Sequence, residues 1–465
     1  MRNLLEFDDT ICAISTAQGE GAIALIRLSG ANSVKIVSQF IKLGKKSFEE
    51  IENNWQQFSR FNYQGETIDE VMVTKFGNPK SYTGEDMVEI ACHGSIYIQH
   101  RILQILVGAG ARVAKPGEFT QRAFMNGKMD LSQAEAVADL ISSRNRMAHK
   151  VAMRQMKGEF SSKLEQLRTR LMDFTALIEL ELDFSEEDVE FADRTQLFNL
   201  LGEVDEEVLK LSKSFELGNA IKNGIPVAIV GEPNVGKSTL LNRLLNEDRA
   251  IVSDIAGTTR DVIEDTMVID GYEFRFIDTA GIRESTDEIE SKGIELALRK
   301  VSKARVVLYV FDARSDQNAV QKALQRIQSK VIEDTPIIPV ANKVDLLEHN
   351  QKHYEQYFSD EHVISIAAKE NRGVEELVKI LVQEGTRGLE DEDQILVTNI
   401  RHVEALQHIH QGIERIVEGL QNGLPGDLLS FEIRQVLEYI ADITGQTITP
   451  DDVLGHIFQN FCIGK

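Results

Sequence analysis

Positive charge is in short supply: 51 lysines and arginines stand against 74 aspartates and glutamates, for a net charge of −23. Such a chain repels its own kind and stays in solution, but it exerts no overall pull on a polyanion. Any nucleic-acid contact must therefore rest on local basic surface. Cysteine is scarcer still. Cys12, Cys92 and Cys462 are far apart, odd in number and form no CxxC pair, which argues against a disulfide framework and a zinc site and predicts reduced thiols. Long apolar runs are also missing, none approaching the roughly 20 residues that cross a bilayer, so no membrane segment is expected. Met1 to Asp9 carries three acidic residues and no basic stretch leading into an apolar one. Neither a secretory signal nor an Arg-rich transit peptide is expected there, which leaves the cytoplasm as the expected compartment. No internal repeat or low-complexity tract is found.

At 465 residues the chain exceeds what one core serves, and two to four domains are expected. Residues 1–118 alternate β-rich runs (Ala22 to Leu28, Glu70 to Phe76, Met87 to Cys92) with helical ones (Ala31 to Ile41, Ser95 to Val107), the pattern of a small α/β domain. Proline is absent between Pro116 and Pro226, and Leu164, Leu167, Leu171, Phe174 and Ile178 recur at helical spacing, so an α-helical domain is expected over 119–217. Over 218–382 apolar strands (Val227 to Val230, Phe274 to Ile277, Val306 to Phe311, Ile337 to Val340, Val363 to Ile366) alternate with loops and helices, predicting a parallel, doubly wound sheet. Helical spacing returns over 383–465, so this α/β domain is inserted within a helical one.

The inserted domain carries the chemistry. Gly231-Glu-Pro-Asn-Val-Gly-Lys-Ser238 matches the P-loop pattern between the strand Val227 to Val230 and a helix expected over Thr239 to Leu245. Its glycines let backbone amides of Asn234, Val235 and Gly236 wrap a phosphate at the helix N-terminus, Lys237 reaches the β- and γ-phosphates, and Ser238 offers a hydroxyl to Mg²⁺. Asp278-Thr279-Ala280-Gly281 ends a strand and sets a carboxylate near the metal. Asn342-Lys343-Val344-Asp345 ends another, and the Asp345 carboxylate accepts from the two edge donors that guanine has and adenine lacks. Ala367-Ala368-Lys369 has the place of the last guanine-contacting loop. Between these, Ser253, Asp254, Ile255, Ala256, Gly257, Thr258 and Thr259 occupy a switch position, with Thr259 the second Mg²⁺ ligand. The sum is a GTP-binding, GTP-hydrolysing domain. Ile282 stands where many such proteins keep a water-orienting glutamine, so another group must serve, and the acidic run Glu284, Asp287, Glu288 and Glu290 supplies candidates.

Outside this domain, Gly19-Glu-Gly-Ala-Ile-Ala-Leu-Ile-Arg27-Leu-Ser-Gly30, Tyr82-Thr-Gly-Glu-Asp-Met-Val-Glu89, Pro116-Gly-Glu-Phe-Thr-Gln-Arg-Ala-Phe-Met-Asn-Gly-Lys128 and Phe461-Cys-Ile-Gly-Lys465 resemble the MnmE (TrmE) family of tRNA-modifying GTPases, and the likeness covers essentially the whole chain. The resemblance implies an N-terminal α/β domain similar to folate-dependent one-carbon transfer proteins. It implies 5-formyl- or 5,10-methylene-tetrahydrofolate contacts at Arg27, Glu89, Lys128 and Lys465. It further implies a homodimer, a flavin-containing MnmG-type partner in a heterotetrameric or larger complex, and attachment of an aminomethyl or carboxymethylaminomethyl group to C5 of the wobble uridine of certain tRNAs. K⁺ would replace the missing glutamine by neutralising charge on the phosphates, with ligands at Asn234, Ser253, Ile255 and Thr258, and the family's water-orienting glutamate falls on Glu290. Cys462 then reads either as a functional thiol near the folate or as a buried, inert one; the terminal residues do not fit a prenylation box.

Residues 144–170 hold eight basic side chains against Glu159 and Glu165, with Arg146, Lys150, Arg154 and Lys157 on one helical face. They form either a tRNA-phosphate stripe or an ordinary solvated surface. Two other readings compete: a ribosome-biogenesis type assembly GTPase acting as a switch, which the GTPase motifs alone do not exclude, and a folate-dependent aminomethyltransferase, which leaves the P-loop unexplained.

Overall fold

The computed structural model describes residues 9–43, 47–183, 194–246, 265–277, 301–332, 334–347, 353–358, 363–389, 394–446, 457–458, 461 and 464. The chain divides into two compact units, one of Met1–Ile141, Met153–Glu206 and Ala405–Lys465, the other of Ser142–Ala152 and Glu207–Glu404.

The first unit begins with β1 (Ile11–Ile14), β2 (Gly21–Ser29), α1 (Ser33–Ser38), β3 (Gln56–Tyr63), β4 (Glu66–Phe76), β5 (Met87–Gly94), α2 (Ile96–Gly108) and β6 (Arg112–Val113). Its sheet runs β3-β4-β5-β2-β1-β6, antiparallel except for the β1–β6 pair. Side chains alternate across β2 and β5 with period two. Ala24, Ile26 and Leu28, with Val88, Ile90 and Cys92, therefore turn to one face and pack on Ile36, Val37, Ile102 and Leu106 of the helices. Arg27 and Glu89 are direct cross-strand partners on the opposite face, where an opposite-charge pair adds to pairing. Cys12 and Cys92 are free and buried, and burial pushes their thiols up to about 12 and about 11, so both are inert at neutral pH.

The helical stretch resolves into α3 (Glu118–Met125), α4 (Leu131–Ser142), α5 (Arg146–Met156), α6 (Glu159–Asp183) and α7 (Arg194–Asn223). The turn between α5 and α6 uses Gly158 with φ +82°, where a Cβ would meet the Gln133 side chain of α4.

In the second unit come β7 (Ile225–Val230), α8 (Lys237–Leu245), β8 (Asp265–Ile269), β9 (Tyr272–Phe276), β10 (Val306–Asp312), α9 (Gln317–Gln328), β11 (Ile337–Asn342), β12 (Ile364–Ser365) and α10 (Val374–Gly385). The strand order is β12-β11-β10-β7-β9-β8. Here the expectation of a parallel sheet needs correcting: β8 runs antiparallel to β9 at the edge. The cause is local, since Asp270 and Gly271 both take left-handed backbone (φ +51° and +86°), the tight turn that reverses a strand on itself. The remaining pairs are parallel, and β7, β10 and β11 are nearly continuous apolar runs buried on both faces.

The chain then runs into α11 (Ile400–Gln421) and α12 (Gly426–Thr444). Within the first unit, α12 packs on α6, with Glu179 accepting from Ser430 and Arg434, and His410 of α11 meets Asp205 of α7 at 2.6 Å. No helix among the described residues is long and apolar enough to cross a membrane.

Candidate functional site

The glycine-rich loop leaves β7 at its C-terminal end and enters α8 directly. Gly236, with φ +97°, caps the helix in a left-handed conformation, and a Cβ there would collide with the Asn342 amide nitrogen, so this position admits only glycine. Asn234 is also left-handed at φ +61°, a conformation asparagine tolerates better than most residues. Lys237 opens the helix, and its Nζ donates to the carbonyls of Gly231 (2.9 Å) and Glu232 (2.7 Å). Burial pushes its ammonium pKa down, with Glu232 opposing, so the group sits where a more strongly negative partner would stabilise its charge.

Asn342, buried at the end of β11, ties two loops together. Its Nδ2 donates to the Val235 carbonyl at 2.8 Å, and its Oδ1 accepts from the Ala368 amide at 3.0 Å. Lys343, left-handed at φ +64°, donates to the Asn234 carbonyl at 2.6 Å and lies 3.1 Å from Asp312 at the end of β10. Arg314 first and Lys343 second hold the Asp312 carboxyl far below its ordinary range, despite partial burial. Asp345 follows on the short turn Val344–Leu346 and is exposed. Thus Asn234 to Thr239, Asn342 to Asp345 and Ala367 to Lys369 come together along one edge of the sheet, the carboxyl ends of its parallel strands, where open α/β sheets bind ligands. The predicted residues Ser253 to Thr259, Asp278 to Gly281, Glu290, Cys462 and Lys465 lie outside the described residues.

A second cluster lies in the first unit. Arg27 directs Nε and Nη2 at Glu89 Oε1 (3.0 and 2.8 Å), while Nη1 donates to the Gly464 carbonyl at 3.3 Å. The rings of Tyr82 and Phe119 flank its guanidinium at 5.3 and 5.7 Å, an arrangement that favours a cation. Ser15 Oγ also donates to Gly464, at 2.9 Å. Lys128 is exposed and donates to the Pro79 carbonyl at 3.0 Å. Nothing local in the sequence marks Tyr82 and Phe119 as partners of Arg27, because both lie far from it along the chain and only the fold brings them to its guanidinium. A Cβ on Gly464 (φ +94°) would run into the Ile14 carbonyl and, at 2.9 Å, Ser15 Cα. Gly464→Ala is therefore expected to loosen this docked segment by ~1–3 kcal/mol, read as faster hydrogen exchange in the peptide carrying Phe458 and Gly464.

The basic stripe is less free than its composition suggests. Arg154 pairs with Glu159 at 2.6 Å, Arg168 with Glu165 at 3.3 Å, and Arg170 with Glu203 at 2.7 Å. Lys157 falls just past the end of α5 rather than on it.

A strand, a glycine loop curling into a helix, and a buried asparagine that bolts that loop to two others are the frame of a P-loop GTPase domain, here set between helices and joined to an α/β unit. Within that class, the chain belongs to the MnmE family of tRNA modification GTPases. The family model described as the MnmE helical domain matches residues 131–462, and that of the GTP-binding protein TrmE N-terminus matches residues 10–128. The tRNA modification GTPase MnmE of Bacteroides thetaiotaomicron is 51% identical over 465 residues, covering 98% of this chain and 99% of that protein. Its counterparts in Parabacteroides distasonis and Flavobacterium psychrophilum are each 49% identical, over 98% and 99% of this chain and 100% of their own. Among solved structures, the G domain of the T. maritima FeoB iron transporter aligns with 34% of this chain and 98% of its own at 22% identity and TM-score 0.26. The protein is a GTPase.

Proposed function

We propose that this GTPase, acting with a flavin-containing MnmG-type protein, modifies C5 of the wobble uridine of certain tRNAs with an aminomethyl or carboxymethylaminomethyl group. The observation that carries the reading is membership of the MnmE family over nearly the full chain, with the relatives named as tRNA modification GTPases. On this reading the domains divide at 1–118, 119–217, 218–382 and 383–465, the chain works as a cytoplasmic homodimer, and tRNA is its macromolecular substrate.

In the nucleotide site, Lys237 neutralises the β- and γ-phosphates, amides of Asn234 to Thr239 wrap them, and Asp345 reads the guanine edge. Ser238, in the first turn of α8 and partly exposed, fits a Mg²⁺ ligand beside that phosphate cradle, with Thr259 as its second protein ligand. Asn234 fits K⁺, since its side chain rides on a left-handed loop residue that is exposed at the cradle's rim, and Ser253, Ile255 and Thr258 complete the set. Either cation, when bound, would supply positive charge against the phosphates. Glu290 orients the attacking water. Glu290→Ala is accordingly expected to keep nucleotide affinity and to lose K⁺-stimulated hydrolysis by about a hundredfold or more; an unchanged turnover rate removes the assignment.

The Arg27–Glu89 pair, with the Tyr82 and Phe119 rings against the guanidinium, fits a flat, donor-rich heterocycle, because a largely buried carboxylate is held beside a cation and aromatic surface. Tetrahydrofolate bound there would supply the one-carbon unit. Glu89 would accept from the heterocycle, Arg27 would hold Glu89 in orientation, and Lys128 and Lys465 would face the carboxylated tail. Cys462 is assigned to the same site. Mass analysis of wobble nucleosides after incubating tRNA, this protein, the flavin partner, GTP, K⁺ and a folate tests the whole. A product that forms equally well without folate would leave the folate assignment without support, and no product under any condition would return the chain to a purely regulatory GTPase.

A further inference from the structure

Arg243 belongs to none of the motifs described above. It stands on the exposed side of α8, nearly two turns beyond Lys237, while its neighbours Leu240, Leu241 and Leu244 are buried in the sheet core. Its guanidinium reaches the loop after β12 and makes two hydrogen bonds to successive backbone carbonyls, Nε to Ala368 at 3.1 Å and Nη2 to Lys369 at 2.9 Å. From the other side, Asn342 Oδ1 takes the Ala368 amide at 3.0 Å. The loop also closes on itself, with Ala367 and Arg372 exchanging backbone bonds at 2.9 and 3.2 Å and Glu370 donating to Ala367 at 3.0 Å.

The consequence is directional. In a trans peptide the carbonyl and the following amide point opposite ways. With the Ala368 carbonyl turned to α8, the Lys369 amide must face away from it, and with the Lys369 carbonyl held likewise, the peptide cannot flip without breaking a charge-assisted bond. Which group of this loop faces outward matters for base choice. Guanine carries an oxygen at position 6 and adenine an amino group, so an outward amide favours guanine and an outward carbonyl favours adenine.

We infer that Arg243 is a positioning residue for guanine selectivity: it holds the Ala368 and Lys369 carbonyls towards α8 and so keeps the Lys369 amide turned away from α8 for the base. The inference rests on the reading of Asn342–Asp345 and Ala367–Lys369 as the guanine site, and adds to it a residue of the phosphate-binding helix.

The test uses the full-length protein with fluorescent GDP and ADP analogues, measuring dissociation rates and equilibrium affinities for wild type, Arg243→Ala and Arg243→Lys. Arg243→Ala is expected to release GDP about tenfold faster and to lower the preference for GDP over ADP by about the same factor, the loss of a charge-assisted hold, with the unfolding temperature retained. Arg243→Lys should recover only part of the preference, since an ammonium lacks the fork that meets two carbonyls at once. A GDP-to-ADP preference equal to wild type in Arg243→Ala overturns the inference, whatever happens to the rates. Should that variant not fold, Arg243→Gln is read in its place by the same criterion. A wild-type protein that does not prefer GDP over ADP overturns the guanine reading itself rather than the role of Arg243.

Discussion

Asp345→Asn is expected to lower the affinity for GTP by about 10²–10³-fold and to raise that for xanthosine triphosphate. A carboxylate accepts from both edge donors of guanine, and each charge-assisted bond is worth ~1.5–3 kcal/mol. Asparagine offers one acceptor and places an amide donor against the other guanine donor. Xanthine carries a carbonyl in place of the 2-amino group, so the same amide donor now finds an acceptor. The backbone that carries this side chain is held in place: Val344 donates its amide to the Ile366 carbonyl at 3.3 Å, Leu346 to that of Lys343 at 3.0 Å, and Asp345 stands exposed between them. Competition titrations with GDP and XDP decide the matter, and an unchanged ratio of the two affinities would take Asp345 out of base recognition.

Loss of Arg122 is expected to carry a large cost in stability. Its side chain is fully buried, yet Nη1 donates to the Asp9 carbonyl (2.9 Å) and to both oxygens of Glu85 (3.3 and 3.2 Å), and Nη2 to Asp9 Oδ1 (2.6 Å) and Glu118 Oε1 (3.1 Å). One guanidinium thus gathers the segment before β1, the loop before β5 and the start of α3. Arg122→Met keeps the volume but leaves the Glu118 carboxylate, itself buried, with only Arg112 and the Lys115 amide to satisfy it, and a cost of ~3–5 kcal/mol follows from breaking one side of a buried ion pair. Hydrogen exchange in β1 and α3 should speed up accordingly. Arg122→Lys is expected to rescue only in part, because a point charge cannot serve three carboxylates at once.

The same cluster sets an acid limit. Burial pushes the Glu118 carboxyl up, but hydrogen bonds from Arg112, the Lys115 amide and Arg122 outweigh it, and the net shift is downward from the ordinary 4.5. Asp9 behaves alike, burial being overcome by Arg112 and Arg122 to bring it below 3.8. A carboxyl lowered in the folded state adds stability above its ordinary value and loses it as pH falls through the lowered one. The unfolding temperature of the wild type should therefore fall below pH 4.5, and Arg122→Met should show a shallower acid limb; equal slopes would mean that these carboxylates are not held as described.

Part of the fold is legible in local pattern. β2, β5, β7, β10 and β11 stand where apolar runs or strict alternation placed them, and α8 begins one residue after the left-handed Gly236. β3 was not legible, because Gln56–Tyr63 reads as polar and only Ser59 and Phe61 in it are buried. The helical character of 119–217 is legible, but where one helix gives way to the next is not, because the described breaks at residues 143–145 and 157–158 carry no proline and a single glycine.

What the sequence determined by itself was the nucleotide machinery whose geometry is made by near neighbours: the strand, the glycine loop and the helix that presents Lys237 and Ser238. Backbone conformation there depends on residues within about two helical turns, so spacing carries the information. What only the tertiary structure decided was which distant groups each charge meets. Arg27 finds Glu89 and Gly464, Arg122 finds Asp9 and Glu85, and Arg243 finds the carbonyls of Ala368 and Lys369, in pairs separated by 37 to 437 residues. Those choices follow from strand order and from the side of the sheet each residue faces, and a buried charge must take whatever partner the topology brings within reach.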